Sequence, residues 1–369
     1  MVSLTSRDRV LAALRGQEPD RVPFMEVSVD RAVAYAAVGQ SVTNGRAPRT
    51  RSAAEDLIAM GGLFGMPEEG DLELARAMGL DALGVHFWVP TERVNAEVDG
   101  HSMMVGGKIK SRSDLALLRL RLPDPDNPMI YEPYQRFIER YRDSGLALFC
   151  FTSMGFDSAV QGMGFETFSY ALYDDPILVE GMFDLYADWY TRAMRRLTAL
   201  GFDFLWLGDD IAFKTAPFVS PRVFRSLFLP RGRRVVEQIT LPWVFHSDGN
   251  LVPILDDLLE LGMCGLHPIE PEAMDLVEIK RRYGSRVCLL GNISVDTLSR
   301  GTPKEVDALV EHAIQVAAPE GGYIVGSSNS ITWYCKPENV AAMCRAAQRY
   351  GAYPIGARSG PAATDSVGG

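Results

Sequence analysis

Trp243-Val244-Phe245-His246-Ser247-Asp248-Gly249-Asn250 reads as a short apolar strand running into a polar loop. Side chains alternate across a strand, so His246 and Asp248 leave the same face and can converge on one ligand. A helical pattern, Val252 to Leu261, follows at once. The same unit recurs on both sides. Upstream, strand patterns cover Arg21–Asp30, Ala82–Val89, Leu146–Phe151 and Phe204–Leu207; downstream they cover Cys264–Leu266, Val287–Leu290 and Tyr323–Val325. Helical patterns lie between them, for instance Met274–Tyr283 and Pro303–Ala317. Strand and helix in alternation predict parallel strands with helical crossovers. Eight units in one chain predict a closed (β/α)8 TIM barrel, in the α/β class.

Two additions frame the barrel. Residues 5–15 predict an N-terminal helix, with Thr5 as cap and Val10, Leu11 and Leu14 as its apolar stripe. After the second strand, Val94–Val98, Asp99-Gly100 and Met103–Ile109 predict a β-hairpin excursion over the barrel mouth, because Asp-Gly favours the hairpin turn. Residues 1–355 are expected to form one barrel domain, and the Gly-, Ala- and Ser-rich residues 356–369 a disordered tail.

The chain has 369 residues, a 47% hydrophobic content and a formal net charge of −10. An acidic exterior argues against nucleic acid or an anionic membrane as the main partner. The N-terminal residues lack a secretory pattern, and no stretch approaches the ~20 apolar residues of a bilayer span. A cytoplasmic location is therefore expected, with the five cysteines as buried free thiols.

In a barrel the functional groups sit at the C-terminal strand ends. Those ends carry Glu26, His86 and Trp88 early in the chain, and Asp209 and Asp210 in the middle. His246, Asp248, His267 and Glu270 follow, with Asn292 and Ser327 on the last two strands. The set is rich in acids and histidines and contains no arginine. Imidazole with carboxylate suits a divalent first-row ion such as zinc, held by His246 and Asp248 with Glu270 in reach. Proton transfer by the same pair is equally compatible, and an Asp capping the next helix is the structural alternative. Asp209 and Asp210 point to opposite faces, so at most one faces the site, as a general base or holding a substrate hydroxyl; a helix N-cap or a solvated pair is the competing reading. Trp88, Trp206, Phe213, Trp333 and Tyr334 either border a pocket or fill the barrel. No GxGxxG, P-loop or GxSxG motif is present.

Five segments together resemble the uroporphyrinogen decarboxylase superfamily, and within it the cobalamin-dependent methyltransferase branch. They are SRDRVLAALRGQEPDRVPF (6–24), FHSDGN (245–250), LLGNIS (289–294), GTPKEV (301–306) and GYIVGSSNSI (322–331). The resemblance implies a TIM barrel, a homodimer, a corrinoid carried on a partner protein, and methyl transfer to or from a small-molecule methyl donor. The zinc methyltransferases of that branch carry His-x-Cys after the fifth strand and a further Cys after the eighth. Here the matching positions are His246, Asp248 and Ser327, so the histidine is kept and both thiolates are replaced. A harder oxygen-rich site suits Lewis-acid action on an O- or N-methyl compound better than activation of a thiol. The decarboxylases grip a polycarboxylate with arginines after the first strand; this chain has Phe24-Met25-Glu26-Val27-Ser28-Val29-Asp30 there. The expected activity is thus a corrinoid-linked methyltransferase or demethylase with catalytic His246, Asp248, and Asp209 or Asp210. Substrate would contact His267, Glu270, Glu26, His86, Trp88, Asn292 and Ser327. A lyase acting on a small acid, or a non-catalytic binding barrel, are the rival expectations.

Overall fold

In chain order the strands are β1 (Ala82–His86), β2 (Arg93–Val98), β3 (His101–Gly107), β4 (Ala147–Thr152), β5 (Phe204–Gly208), β6 (Trp243–His246), β7 (Gly265–His267), β8 (Cys288–Leu290) and β9 (Tyr323–Ile324). The computed structural model describes residues 4–40, 70–98 and 101–355. β1 and β4 to β9 form one parallel sheet in sequential order, and helices on the connections cover its outer face. This is the curled sheet of a TIM-type barrel. Every residue of these seven strands is buried, as a sheet covered on both faces requires.

The expected first strand is present as a stave rather than a continuous ladder. Phe24 pairs with Val325 and Val29 with Ile331, both parallel. Asp81 N–H donates to Phe24 O at 2.8 Å on one side, while Met25 N–H donates to Val325 O at 3.0 Å on the other. The segment therefore lies between β1 and β9. Pro23 supplies only its carbonyl, accepting from Val325 N–H at 2.9 Å, so a full ladder cannot form there.

The N-terminal motif secures the opposite end of the barrel. Helix Ser6–Leu14 starts at Thr5, whose hydroxyl accepts from Asp8 N–H. From that helix Arg9 reaches Asp20 through two bonds of 2.7 and 2.8 Å and the buried Asp81 at 2.7 Å. Arg21 adds a second guanidinium to Asp81 at 2.8 Å. Asp20 and Arg21 of the EPDR sequence thus join a partly buried ion network that ties the first helix to the first stave. Two guanidiniums, with the Phe24 N–H donating to Oδ2 at 2.9 Å, compensate the desolvation of Asp81, which one partner alone would leave expensive.

The hairpin forms as expected: β2 and β3 pair antiparallel from Arg93↔Gly107 to Val98↔His101. It leans on helix Phe156–Met163 through the Ile109 N–H to Gly162 O bond. Inside the barrel, Phe149, Phe151 and Trp206 form a contiguous aromatic column. Trp206 is therefore core. Phe213 packs with Phe165 and Phe218 and remains half exposed, and Trp333 and Tyr334 are exposed. The expected tail at 356–369 and the hairpin turn at Asp99-Gly100 lie outside the described residues. Among the described residues no helix is long and apolar enough to cross a membrane.

Candidate metal centre

His246 ends β6, and Asp248 follows two residues on. Their side chains leave the same face, and His246 Nε2 lies 3.9 Å from Asp248 Oδ1 and 3.8 Å from Asp210 Oδ1. One ligand atom from each of Asp210, His246 and Asp248 falls within 4.8 Å of the others. The β5 and β6 ends are held together by Asp248 N–H donating to Asp210 Oδ1 at 3.0 Å and Ile211 N–H to Ser247 Oγ at 3.1 Å. Gly249 allows the crossing. Its φ is +88°, and a Cβ there would meet the carbonyl oxygens of Phe213 and Ala212 at 2.5 and 2.6 Å.

The proton positions follow from the hydrogen bonds. His267 Nε2 is 3.2 Å from the carbonyl oxygen of Ser327, which can only accept, so Nε2 carries a proton. Burial and the neighbouring His246 push the His267 pKa well below its ordinary value, so the ring is neutral and its Nδ1 is an acceptor. His246 Nδ1, at 2.7 Å, must then be the donor. The lone pair of His246 is left on Nε2, facing Asp210 and Asp248. Burial also lowers the His246 pKa, against the pull of Asp210.

Asp248 complements that lone pair. Its Oδ2 accepts from Asn329 Nδ2, while Oδ1 is buried without a hydrogen-bond partner. Burial, then the charges of Asp210 and Glu270, raise its pKa to about 8, with Lys214 opposing. An imidazole lone pair, an unpartnered carboxylate oxygen and a second carboxylate form a donor set that fits a divalent cation such as zinc.

The remaining expected residues take other places. Asp209 faces away from Asp210, as strand alternation requires, and is buried. Its carboxylate accepts from Ser153 Oγ (2.7 Å), Met154 N–H (2.6 Å) and Asp157 N–H (2.9 Å), which anchors the start of helix Phe156–Met163. Burial outweighs these bonds and lifts its pKa to about 6. Asp209 is a structural carboxylate, and Asp210 alone of the pair meets His246. Glu270 accepts from Gly249 N–H at 2.8 Å and pairs with Lys214 at 3.3 Å, outside the group of three. Asn292 has a φ of +86° and donates from Nδ2 to Ile269 O at 2.6 Å, so it shapes a turn. Ser327 and Glu26 are buried against each other, with Ser327 Oγ 2.6 Å from Glu26 Oε2 and Ser327 N–H donating to Oε1 at 2.9 Å. Neither presents a free polar atom to a ligand.

His86 and Trp88 lie across Phe151 from the three ligand candidates. Phe151 contacts His86 at 5.1 Å, Trp88 at 5.3 Å and His246 at 5.7 Å between ring centroids. His86 Nε2–H donates to Val27 O at 3.2 Å, and burial lowers its pKa to about 4. Its Nδ1 lone pair and the Trp88 Nε1–H are buried without partners. The sequence reading had not singled out Phe151 or Asp157. Phe151 shares its strand face with Phe149, a parity signal that marked it as inward-facing. Asp157 carried no such signal; burial and the charges of Asp210 and Asp209 raise its pKa well above the carboxylate range.

A family model described as Uroporphyrinogen decarboxylase (URO-D) matches residues 5–350, and the chain belongs to that family. It is similar to the methylcobamide:CoM methyltransferase MtaA of Methanosarcina barkeri, with 30% identity over 138 residues. That stretch is 36% of this chain and 39% of the relative, about two fifths of the relative's length. In fold it is similar to a methyltransferase from Methanosarcina mazei: the TM-score is 0.70 at 20% identity, covering 94% of this chain and 99% of the other.

Proposed function

We propose that this member of the uroporphyrinogen decarboxylase family moves a methyl group between a small O- or N-methylated compound and a corrinoid carried on a partner protein. The observation that carries the reading is the convergence of His246 Nε2, Asp210 and the unpartnered Oδ1 of Asp248 at the barrel mouth. These three residues would hold a zinc-like ion. When bound, such an ion supplies Lewis acidity toward the heteroatom that bears the methyl group.

The chain's own groups do the rest. His267 fixes the His246 tautomer so that Nε2 remains free. Glu270 holds Gly249 N–H and so the loop carrying Asp248. The His86 lone pair and the Trp88 N–H offer one acceptor and one donor for the polar part of the methylated compound, and Phe151 packs between them and the ligands. The carboxylate-rich surroundings, with Lys214 paired to Glu270, would repel a polycarboxylate. Decarboxylation of such a substrate is therefore the weaker reading.

The test combines elemental analysis of protein purified without a chelating tag with transfer assays using methylated corrinoid protein. About one zinc-like ion per chain, lost in His246→Ala together with methyl transfer, is expected. A protein without metal, or turnover indifferent to corrinoid, would overturn the reading and favour the lyase.

A further inference from the structure

Ser327 has one hydroxyl proton and two oxygen neighbours in hydrogen-bond reach, Glu26 Oε2 at 2.6 Å and the carbonyl oxygen of Asn329. A carbonyl oxygen only accepts. If the hydroxyl donates to Glu26, two bare oxygens face each other at Asn329. If it donates to Asn329, the proton in the Glu26 contact must come from the carboxyl group. Only the second arrangement leaves every contact with a proton.

The surroundings agree. Glu26 is 1% exposed, and both of its hydrogen-bond contacts among the described residues are with Ser327. Burial raises its pKa to about 8 against those bonds. The nearby Cys335 and Cys344 thiols are themselves pushed up by burial and supply no positive charge.

We propose that Glu26 is held as a neutral carboxylic acid and acts as a positioning residue, its O–H donating to Ser327 Oγ while Oε1 accepts the Ser327 N–H. The clamp sets residues 327–329, and those residues hold two of the three ligand candidates. The Ser327 carbonyl accepts from His267, which fixes His246; the Asn329 amide holds Asp248. One buried acid on the first stave thereby orients groups on β6 and β7. The functional consequence rests on the metal reading above, whereas the protonation state does not.

Glutamine reproduces this pattern: Nε2–H donates to Ser327 Oγ and Oε1 accepts Ser327 N–H. The experiment compares full-length wild type, Glu26→Gln and Glu26→Ala at neutral pH by zinc competition titration, infrared spectroscopy and 15N shifts of the histidines. Glu26→Gln should match wild-type zinc affinity, and Glu26→Ala should lose roughly 10- to 100-fold, the scale of outer-shell ligand supports. The carbonyl stretch of a protonated carboxyl should be present in wild type and missing in Glu26→Gln. Loss of zinc binding in folded Glu26→Gln, or no protonated-carboxyl band removed by it, would overturn the proposal. If wild type binds no zinc, the metal reading falls on its own, and the clamp is decided by the infrared band and the histidine tautomers. The tautomers should persist in Glu26→Gln, and the band should vanish. Should Glu26→Ala fail to fold, Glu26→Gln alone still decides.

Discussion

The imidazoles of His246 and His267 meet Nδ1 to Nδ1 at 2.7 Å, with their rings stacked 4.9 Å apart at 25°. One neutral ring accepts and the other donates, so His267 performs the tautomer-fixing task that a carboxylate or carbonyl usually performs behind a metal-binding histidine. His267→Ala should therefore weaken zinc binding roughly 10- to 100-fold while the three ligand residues remain. A competition titration checks this; unchanged affinity would mean that His246 holds its tautomer unaided.

The neighbours Asp209 and Asp210 should separate by phenotype. Asp209→Ala strands the N–H groups of Met154 and Asp157 and should cost roughly 2–4 kcal/mol of stability. Asp210→Ala gives up one partly exposed bond to Asp248 N–H and should cost less, roughly 0.5–1.5 kcal/mol, while abolishing tight metal binding. Equal stability losses in the two variants would contradict this division.

Glu26 should leave a signature in stability against pH. Its folded pKa of about 8 lies above the unfolded value of 4.5, so the folded state holds the extra proton and stability falls as pH rises through that window. His86 acts oppositely: its folded pKa of about 4 lies below 6.5, so its contribution grows with pH and is complete by about 6.5. Between pH 6.5 and 8 the loss from Glu26 should be about 1–2 kcal/mol. Thermal unfolding of the metal-free protein should show a shallower decline in Glu26→Gln.

Gly291 has a φ of +89°, and a Cβ there would sit 2.8 Å from Ser327 O and 3.2 Å from the His267 ring. Gly291→Ala should cost about 2 kcal/mol or more, since the left-handed strain adds to the clash. Because it pushes on His267, zinc affinity should fall with it. Equilibrium unfolding and the zinc titration measure both effects.

The repeated strand–helix pattern, the capped first helix and the hairpin were legible because each is set by local periodicity and turn chemistry. Alternation along β6 likewise placed His246 and Asp248 on one face, and strand parity limited Asp209-Asp210 to one inward carboxylate. It could not say which. That depended on helix Phe156–Met163 offering backbone donors to Asp209, a contact between residues more than fifty positions apart.

The sequence by itself determined the barrel and the chemical character of its mouth, because hydrophobic period and residue type are local properties of the chain. Tertiary structure alone decided which polar groups are occupied and which are free. Glu26, Asn292 and Ser327 stand at strand ends like the ligand candidates, yet partners distant in sequence consume them: Glu26 and Ser327 consume each other, and Asn292 is tied to Ile269. His246 Nε2 and Asp248 Oδ1 keep their lone pairs because their neighbours' hydrogen bonds are already satisfied elsewhere. A buried polar group's availability is set by the whole network around it, and that network exists only once the chain has closed on itself.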